Sequence, residues 1–123
     1  MPVITNIEDL RVLAEKRVPR MFYDYADSGS WTEGTYRANE SDFQPIKLRQ
    51  RVAVNMENRT TAAQMVGIDT KMPVAIAPVG LTGMQHADGE NLAARAAAKA
   101  SVPFTLSTMS ICSIEDVAAN TTK

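Results

Sequence analysis

The chain has 123 residues, enough for one ordinary domain or part of a larger one. It is 45% hydrophobic and 22% charged, with 13 Lys and Arg against 14 Asp and Glu and a net charge of -1; this is a globular composition with no block of like charge, and it excludes the basic footprint of a nucleic-acid binder. The single cysteine, Cys112, excludes an internal disulfide and points to a reducing compartment.

Three helices are expected first. Asn6 can cap a helix over Ile7 to Arg17, with Glu8 and Asp9 in its first turn, where carboxylates suit the helix dipole, and with Leu10, Leu13 and Ala14 on one apolar face. Pro19 favours the start of a second helix with Met21, Phe22, Tyr25 and Ala26 on its face and Gly29 as its stop. Thr32 can cap a third, running to about Phe43 and closed by Pro45. From Ile46 to Asn55 the pattern is weak, and Thr60 to Met72, with Gly67 between two short runs, reads as a hairpin.

The second half is clearer. Val74 to Ala77 is a short apolar run between Pro73 and Pro78, suited to a strand buried on both faces as in a parallel sheet. A turn-rich loop follows, and Asp88 can cap a helix with Leu92, Ala93, Ala96, Ala97 and Ala100 on one side. Phe104 to Ser107 is a second buried strand, and Ser113 with Asp116 forms a capping pattern for a last helix. Strand, helix, strand, helix is the βαβ order of α/β folds. Two strands are not a stable sheet, so the chain reads as an incomplete piece or as one that borrows its core from elsewhere.

The N-terminus lacks a basic region followed by a long apolar run and so does not read as a secretory signal. The longest apolar stretch, around Pro73 to Val79, is too short to span a bilayer, which leaves surface attachment open. The loop after the first strand reads Gly80-Leu81-Thr82-Gly83, which is not the G-x-G-x-x-G of a dinucleotide fold, and no Walker-type loop occurs. A (β/α)8 barrel makes no such demand and places its functional groups at the C-terminal ends of its strands. The patterns alone favour the barrel modestly and leave an open sheet in play.

The strings MPVAIAPVGLTGM, DGE and PFTLSTMSICSIEDVA, with YDYADSGS and the stretch from Ala38-Asn39 through Phe43 to LRQR upstream, resemble the FMN-dependent α-hydroxy-acid dehydrogenase and oxidase family. LRQR, APVGLTGM and FTLSTMSIC look most like its bacterial L-lactate dehydrogenases. The resemblance implies an α/β fold, the N-terminal part of a TIM (β/α)8 barrel preceded by a helical segment: residues 1–72 form the helical segment and hairpin, and residues 73–123 the first two βα units. It implies FMN as cofactor, a small L-2-hydroxy acid as substrate, lactate first, and no metal.

Three sites carry over by resemblance. Tyr25 matches the tyrosine whose hydroxyl binds the substrate carboxylate. Pro78, Val79 and Gly80 match the stretch that touches the flavin ring through backbone, and Ser107 matches the serine on the ring's polar edge. Elementary chemistry agrees: a carboxylate entering a dry pocket needs donors, close backbone approach to a flat ring favours glycine, and a hydroxyl can serve either role at an amide-like edge. Each also has a plain structural reading, as core tyrosine, turn and strand-end hydroxyl.

The family's histidine base, carboxylate-binding arginines and flavin-facing lysine lie on later strands, so no catalytic residue is expected in this chain. His86 is read as structural, Cys112 as a buried small hydrophobe, Asp88 to Glu90 as a helix start, and Met109 as a position that tunes pocket size. The further expectations are a homo-oligomeric full-length enzyme and a location in the cytoplasm or on the cytoplasmic face of the inner membrane. The alternative is a non-catalytic fragment or complementing subunit of a split flavoprotein.

Overall fold

The computed structural model describes residues 3–121. They divide after Asn58 into two compact units. The first is helical. α1 (Ile7–Arg17) starts with the expected cap: the Asn6 side chain accepts from Asp9 N at 3.0 Å. Asp9 Oδ2 in turn accepts from Thr5 N and Thr5 Oγ1, both at 2.8 Å, and from Asn6 N at 3.3 Å, which closes a capping box. α2 (Arg20–Asp27) follows Pro19. Its buried residue is Tyr23, not a member of the expected Met21, Phe22, Tyr25 and Ala26 face, of which Met21, Tyr25 and Ala26 are exposed.

A polar tie explains that choice. Arg11 Nη1 donates to Tyr23 Oη and to Asp27 Oδ2, both at 3.0 Å, and Tyr23 Oη donates to Asp27 Oδ2 at 2.8 Å. Arg11 is held against α1 by Glu8, which keeps the Glu8 carboxyl below its ordinary range. The tie turns Tyr23 toward α1, and apolar periodicity alone could not register it.

α3 (Gly34–Ser41) is shorter than the expected helix, and Thr32 is not its cap. Glu33 stands at the N-cap in the left-handed region (φ 58°) with no side-chain cap, while the Thr32 carbonyl accepts from Arg37. Gly29 lies just beyond the end of α2, and a Cβ on it would come within 2.7 Å of the Tyr36 Cβ. Close packing against α3 explains that glycine better than helix termination does.

The second unit begins with the expected hairpin: β1 (Ala63–Met65) and β2 (Ile68–Thr70) pair antiparallel, Ala63 opposite Thr70 and Met65 opposite Ile68. The turn residues Val66 and Gly67 both have positive φ, at 50° and 78°, as a two-residue type I′ turn requires. Lys71 N donates to the Ser101 carbonyl at 3.1 Å and fixes the hairpin to the chain after the long helix.

The two expected strands meet as a single parallel bridge, Ile76 opposite Phe104. Ile76 N donates to the Pro103 carbonyl at 2.8 Å and Thr105 N to the Ile76 carbonyl at 3.1 Å. The parallel pairing is as expected, but burial on both faces is not: Ile76 is 39% exposed. Among the described residues each segment has one neighbour, and a parallel strand is buried only when layers cover both of its faces.

Between and after them run α4 (Thr82–Gln85), α5 (Gly89–Ala100) and α6 (Ile114–Thr121). α4 is a short helix within what the sequence suggested was only loop. Asp88 holds the N-cap position of α5, but in the left-handed region (φ 56°) and without a side-chain cap. The buried face of α5 is also rotated from the expected one: it comprises Gly89, Glu90, Asn91, Ala94 and Ala97, and Leu92 is exposed. Ala94 and Ala97 form the core with Val117 of α6; thin alanines let the two helices approach closely. α5 ends in a Schellman pattern, Ser101 N to the Ala98 carbonyl at 3.0 Å and Val102 N to the Ala97 carbonyl at 3.1 Å, with Ser101 in the left-handed position. α6 has its expected cap, Asp116 N donating to Ser113 Oγ at 3.1 Å.

Candidate functional site

Tyr25 stands on α2 in the first unit, 58% exposed. Its neighbour in YDY, Tyr23, is the tyrosine locked in the Arg11 and Asp27 network. Burial pushes the Tyr23 phenol above its ordinary value, and Asp27 adds to that. Tyr25 thus has a hydroxyl without a partner among the described residues, and Tyr23 does not.

In the second unit the structure brings two of the expected positions together. A Cβ built on Gly80 would lie 3.8 Å from Ser107 Oγ and 3.4 Å from the Met109 Cβ. Leu81 N donates to the Met109 carbonyl at 2.9 Å, and Met109 N donates to Ser107 Oγ at 3.1 Å. The segments after the two strands therefore run side by side, with Gly80 and Ser107 at one end of the bridged pair. Pro78 and Val79 are exposed, and the N–H groups of Val79 and Gly80 have no partner among the described residues. Ser107 Oγ accepts from backbone and keeps its proton to donate.

These residues fit a flat ring with a polar, amide-like edge: backbone without a side chain at Gly80, unpaired N–H groups beside it, and a hydroxyl alongside. His86, expected to be structural, is exposed and follows α4. Its N–H donates to the Thr82 carbonyl at 3.1 Å, its carbonyl accepts from Gly89 N at 2.9 Å, and its Nδ1 lies 2.7 Å from the Ala87 carbonyl. Among the described residues no group of acidic, histidine or cysteine side chains could hold a metal ion.

The sequence marked Glu90 only as part of a helix start. It is 2% exposed, and its Oε1 accepts from Gly83 N at 3.1 Å and from Ile111 N at 3.0 Å. Its Oε2 is buried without a hydrogen-bond partner among the described residues. Burial pushes this carboxyl up, but the N–H groups of Ile111, Glu90 itself and Gly83, together with the nearby Cys112 thiol, outweigh that and hold it below the usual range. Cys112 is half-buried rather than fully buried, and burial with the Glu90 carboxylate pushes its thiol up. The one available signal was an acid at the head of an alanine-rich helix, which reads as ordinary dipole compensation.

Two bridged parallel segments, each followed by a helix, are the βαβ order of an α/β fold, and an α/β barrel carries its functional groups at the strand ends where Gly80 and Ser107 lie. The sequence pattern of FMN-dependent dehydrogenases matches residues 14–123. The chain belongs to that family, whose cofactor is FMN, and it takes the fold of the N-terminal part of the family's TIM barrel.

The chain is 49% identical over 116 residues to an L-lactate dehydrogenase of Xanthomonas campestris pv. campestris (strain B100), covering 94% of this chain and 30% of that protein. It is 45% identical over 117 residues to an L-lactate dehydrogenase of Pseudomonas syringae pv. syringae (strain B728a), covering 95% and 31%. A soluble mutant of the membrane-associated (S)-mandelate dehydrogenase from Pseudomonas putida matches with a TM-score of 0.87 at 40% identity, over 95% of this chain and 34% of that one. The chain thus spans about a third of the length of the relatives it matches.

Proposed function

We propose that the full-length gene product oxidises L-lactate to pyruvate with FMN, and that this chain supplies part of the cofactor and substrate site but none of the acid–base groups. The reading rests on the side-by-side position of Gly80 and Ser107, in a chain 45–49% identical to two L-lactate dehydrogenases. Bound FMN would supply the two-electron acceptor for the oxidation of the alcohol to a ketone. Residues of this chain do the holding. Val79 and Gly80 present backbone N–H groups to the ring and leave room for its close approach. Ser107 turns its hydroxyl to the polar edge. Tyr25 donates its hydroxyl to the substrate carboxylate on a rigid stem.

The wider reading follows the relatives. The partition into a pre-barrel segment, 1–72, and the first two βα units, 73–123, belongs to this proposal, with the hairpin leading into the barrel. The full-length protein is a homo-oligomer that works in the cytoplasm or against the inner face of the membrane. The membrane-associated (S)-mandelate dehydrogenase among the structural relatives supports contact with a membrane, and no helix among the described residues is long and apolar enough to cross a bilayer.

The test is purification of the full-length gene product beside the 123-residue chain. The expected result is stoichiometric yellow flavin and lactate-dependent dye reduction in the former. The latter is expected to retain no FMN and show no turnover, because the phosphate-anchoring loops of such barrels follow later strands. A short chain that turns over lactate unaided overturns the proposal. A short chain active only when mixed with a separately encoded partner replaces it with the split-flavoprotein reading.

A further inference from the structure

Two glycines mark a seam in the second unit. A Cβ on Gly80 would meet Met109 and Ser107, and one on Gly83 would come within 2.8 Å of the Ile111 Cβ. The segment from Gly80 to Gly83 thus lies against the segment from Ser107 to Ile111 at van der Waals distance or closer, and it needs something to fix its spacing. Leu81 N to the Met109 carbonyl is one tie. The Glu90 carboxylate supplies two more, one to each segment, through a single buried oxygen.

We propose that Glu90 is a positioning residue for the flavin-facing end of the first two barrel strands: its Oε1 accepts from Gly83 N and Ile111 N together and so holds Gly80 and Ser107 at one separation. A carboxylate suits this task. A buried acceptor that takes N–H groups from two loops satisfies two donors that would otherwise be stranded, and hydrogen bonds to an ionised acceptor are about twice as strong as neutral ones. Burying such a charge is costly unless it has partners, and those it has lie on the two segments that must stay together. A carboxylate serving only as a helix-start charge would point into solvent. The inference rests on the FMN reading above and deepens it.

The test uses the full-length gene product with FMN removed and added back. FMN affinity is read by flavin fluorescence, the visible circular dichroism of the bound flavin at saturation, and the melting temperature of the apoprotein. Glu90→Ala is expected to weaken FMN binding at least tenfold and to alter the visible dichroism even at saturating FMN. Glu90→Gln, whose Oε1 accepts from the same two N–H groups, is expected to stay within threefold of wild type. Gly83→Ala, whose added Cβ would lie 2.8 Å from the Ile111 Cβ and 3.1 Å from Glu90 Oε2 and so forces the tied segments apart, is expected to weaken binding at least fivefold and provides the test should Glu90→Ala not fold.

Wild-type affinity and dichroism in folded Glu90→Ala or folded Gly83→Ala overturns the assignment, even if the apoprotein melts lower. So does a Glu90→Gln affinity as poor as that of Glu90→Ala. A wild-type gene product that takes up no FMN at all strikes the underlying functional reading instead.

Discussion

The two tyrosines of YDY give the sharpest prediction, because one hydroxyl is engaged in a network and the other is not. Substituting each by phenylalanine removes one oxygen and keeps the ring. In Tyr23→Phe the lost hydroxyl bridges Arg11 and Asp27, which still have their own 3.0 Å contact. The network is partly solvated, so the expected effect is a fall of a few degrees in melting temperature with little change in lactate kinetics.

In Tyr25→Phe nothing in the fold is lost, since that hydroxyl is exposed and unpartnered among the described residues. What is lost is a hydrogen bond to a carboxylate, worth roughly 1.5–3 kcal/mol. The free hydroxyl is hydrated before substrate arrives, so the middle of that range, about 2 kcal/mol, is appropriate, or about 30-fold in kcat/KM. The assay is steady-state dye reduction with L-lactate in the full-length product, beside thermal melts of both variants. A Tyr25→Phe enzyme within twofold of wild type, or a Tyr23→Phe enzyme with the larger kinetic loss and an unchanged melt, would show that the roles are misassigned.

Other outcomes follow from local geometry. Glu8, Asp9 and Glu90 all titrate below their ordinary values of 4.5, 3.8 and 4.5. The stability they contribute is therefore complete above those values and is lost as pH falls through the lower folded ones; melts from pH 7 down to about pH 3 should show a plateau and then a decline, and a melting temperature that rises on acidification contradicts the assignment. Val66 is a β-branched residue at φ 50° in the hairpin turn, so Val66→Asn should stabilise the fold by about 0.5–1 kcal/mol, read as a higher urea midpoint, and a lowered midpoint argues against the turn. Cys112, held protonated by burial and by Glu90, should react with Ellman's reagent at pH 8 several-fold more slowly in the folded than in the unfolded protein, and Glu90→Gln should narrow that gap. Equal rates would show that the carboxylate does not reach the thiol.

Much of the fold was legible where the determinants are local. Asn6 and Asp9 set the start of α1, Ser113 and Asp116 that of α6, and Gly67 the hairpin turn, because each acts within a few residues of itself. The parallel pairing of the Ile76 and Phe104 segments followed from two short apolar runs at βαβ spacing. What escaped notice depends on partners distant in sequence. Tyr23 is chosen over the apolar face of α2 by an arginine twelve residues earlier. The rotation of α5 follows its buried Glu90, whose second donor lies twenty-one residues later. Asp88 and Thr32 read as routine cap chemistry, yet Glu33 takes the N-cap position expected of Thr32, and both Glu33 and Asp88 stand in the left-handed region without side-chain caps, a backbone state that composition does not announce. The candidate site was legible as positions only by family resemblance; the nearness of Gly80 to Ser107 is a fact of folded geometry.

Met109 is tethered through main chain on both sides, its N–H to Ser107 Oγ and its carbonyl to Leu81 N, while its side chain is 58% exposed. A residue anchored in this way can exchange its side chain without moving its backbone. Divergence in a lineage can therefore widen or narrow the adjoining space by swapping one residue, with the glycine-lined seam beside it left intact. Variation in bulk at 109 and invariance at 80 and 83 is the pattern such an arrangement imposes on descendants.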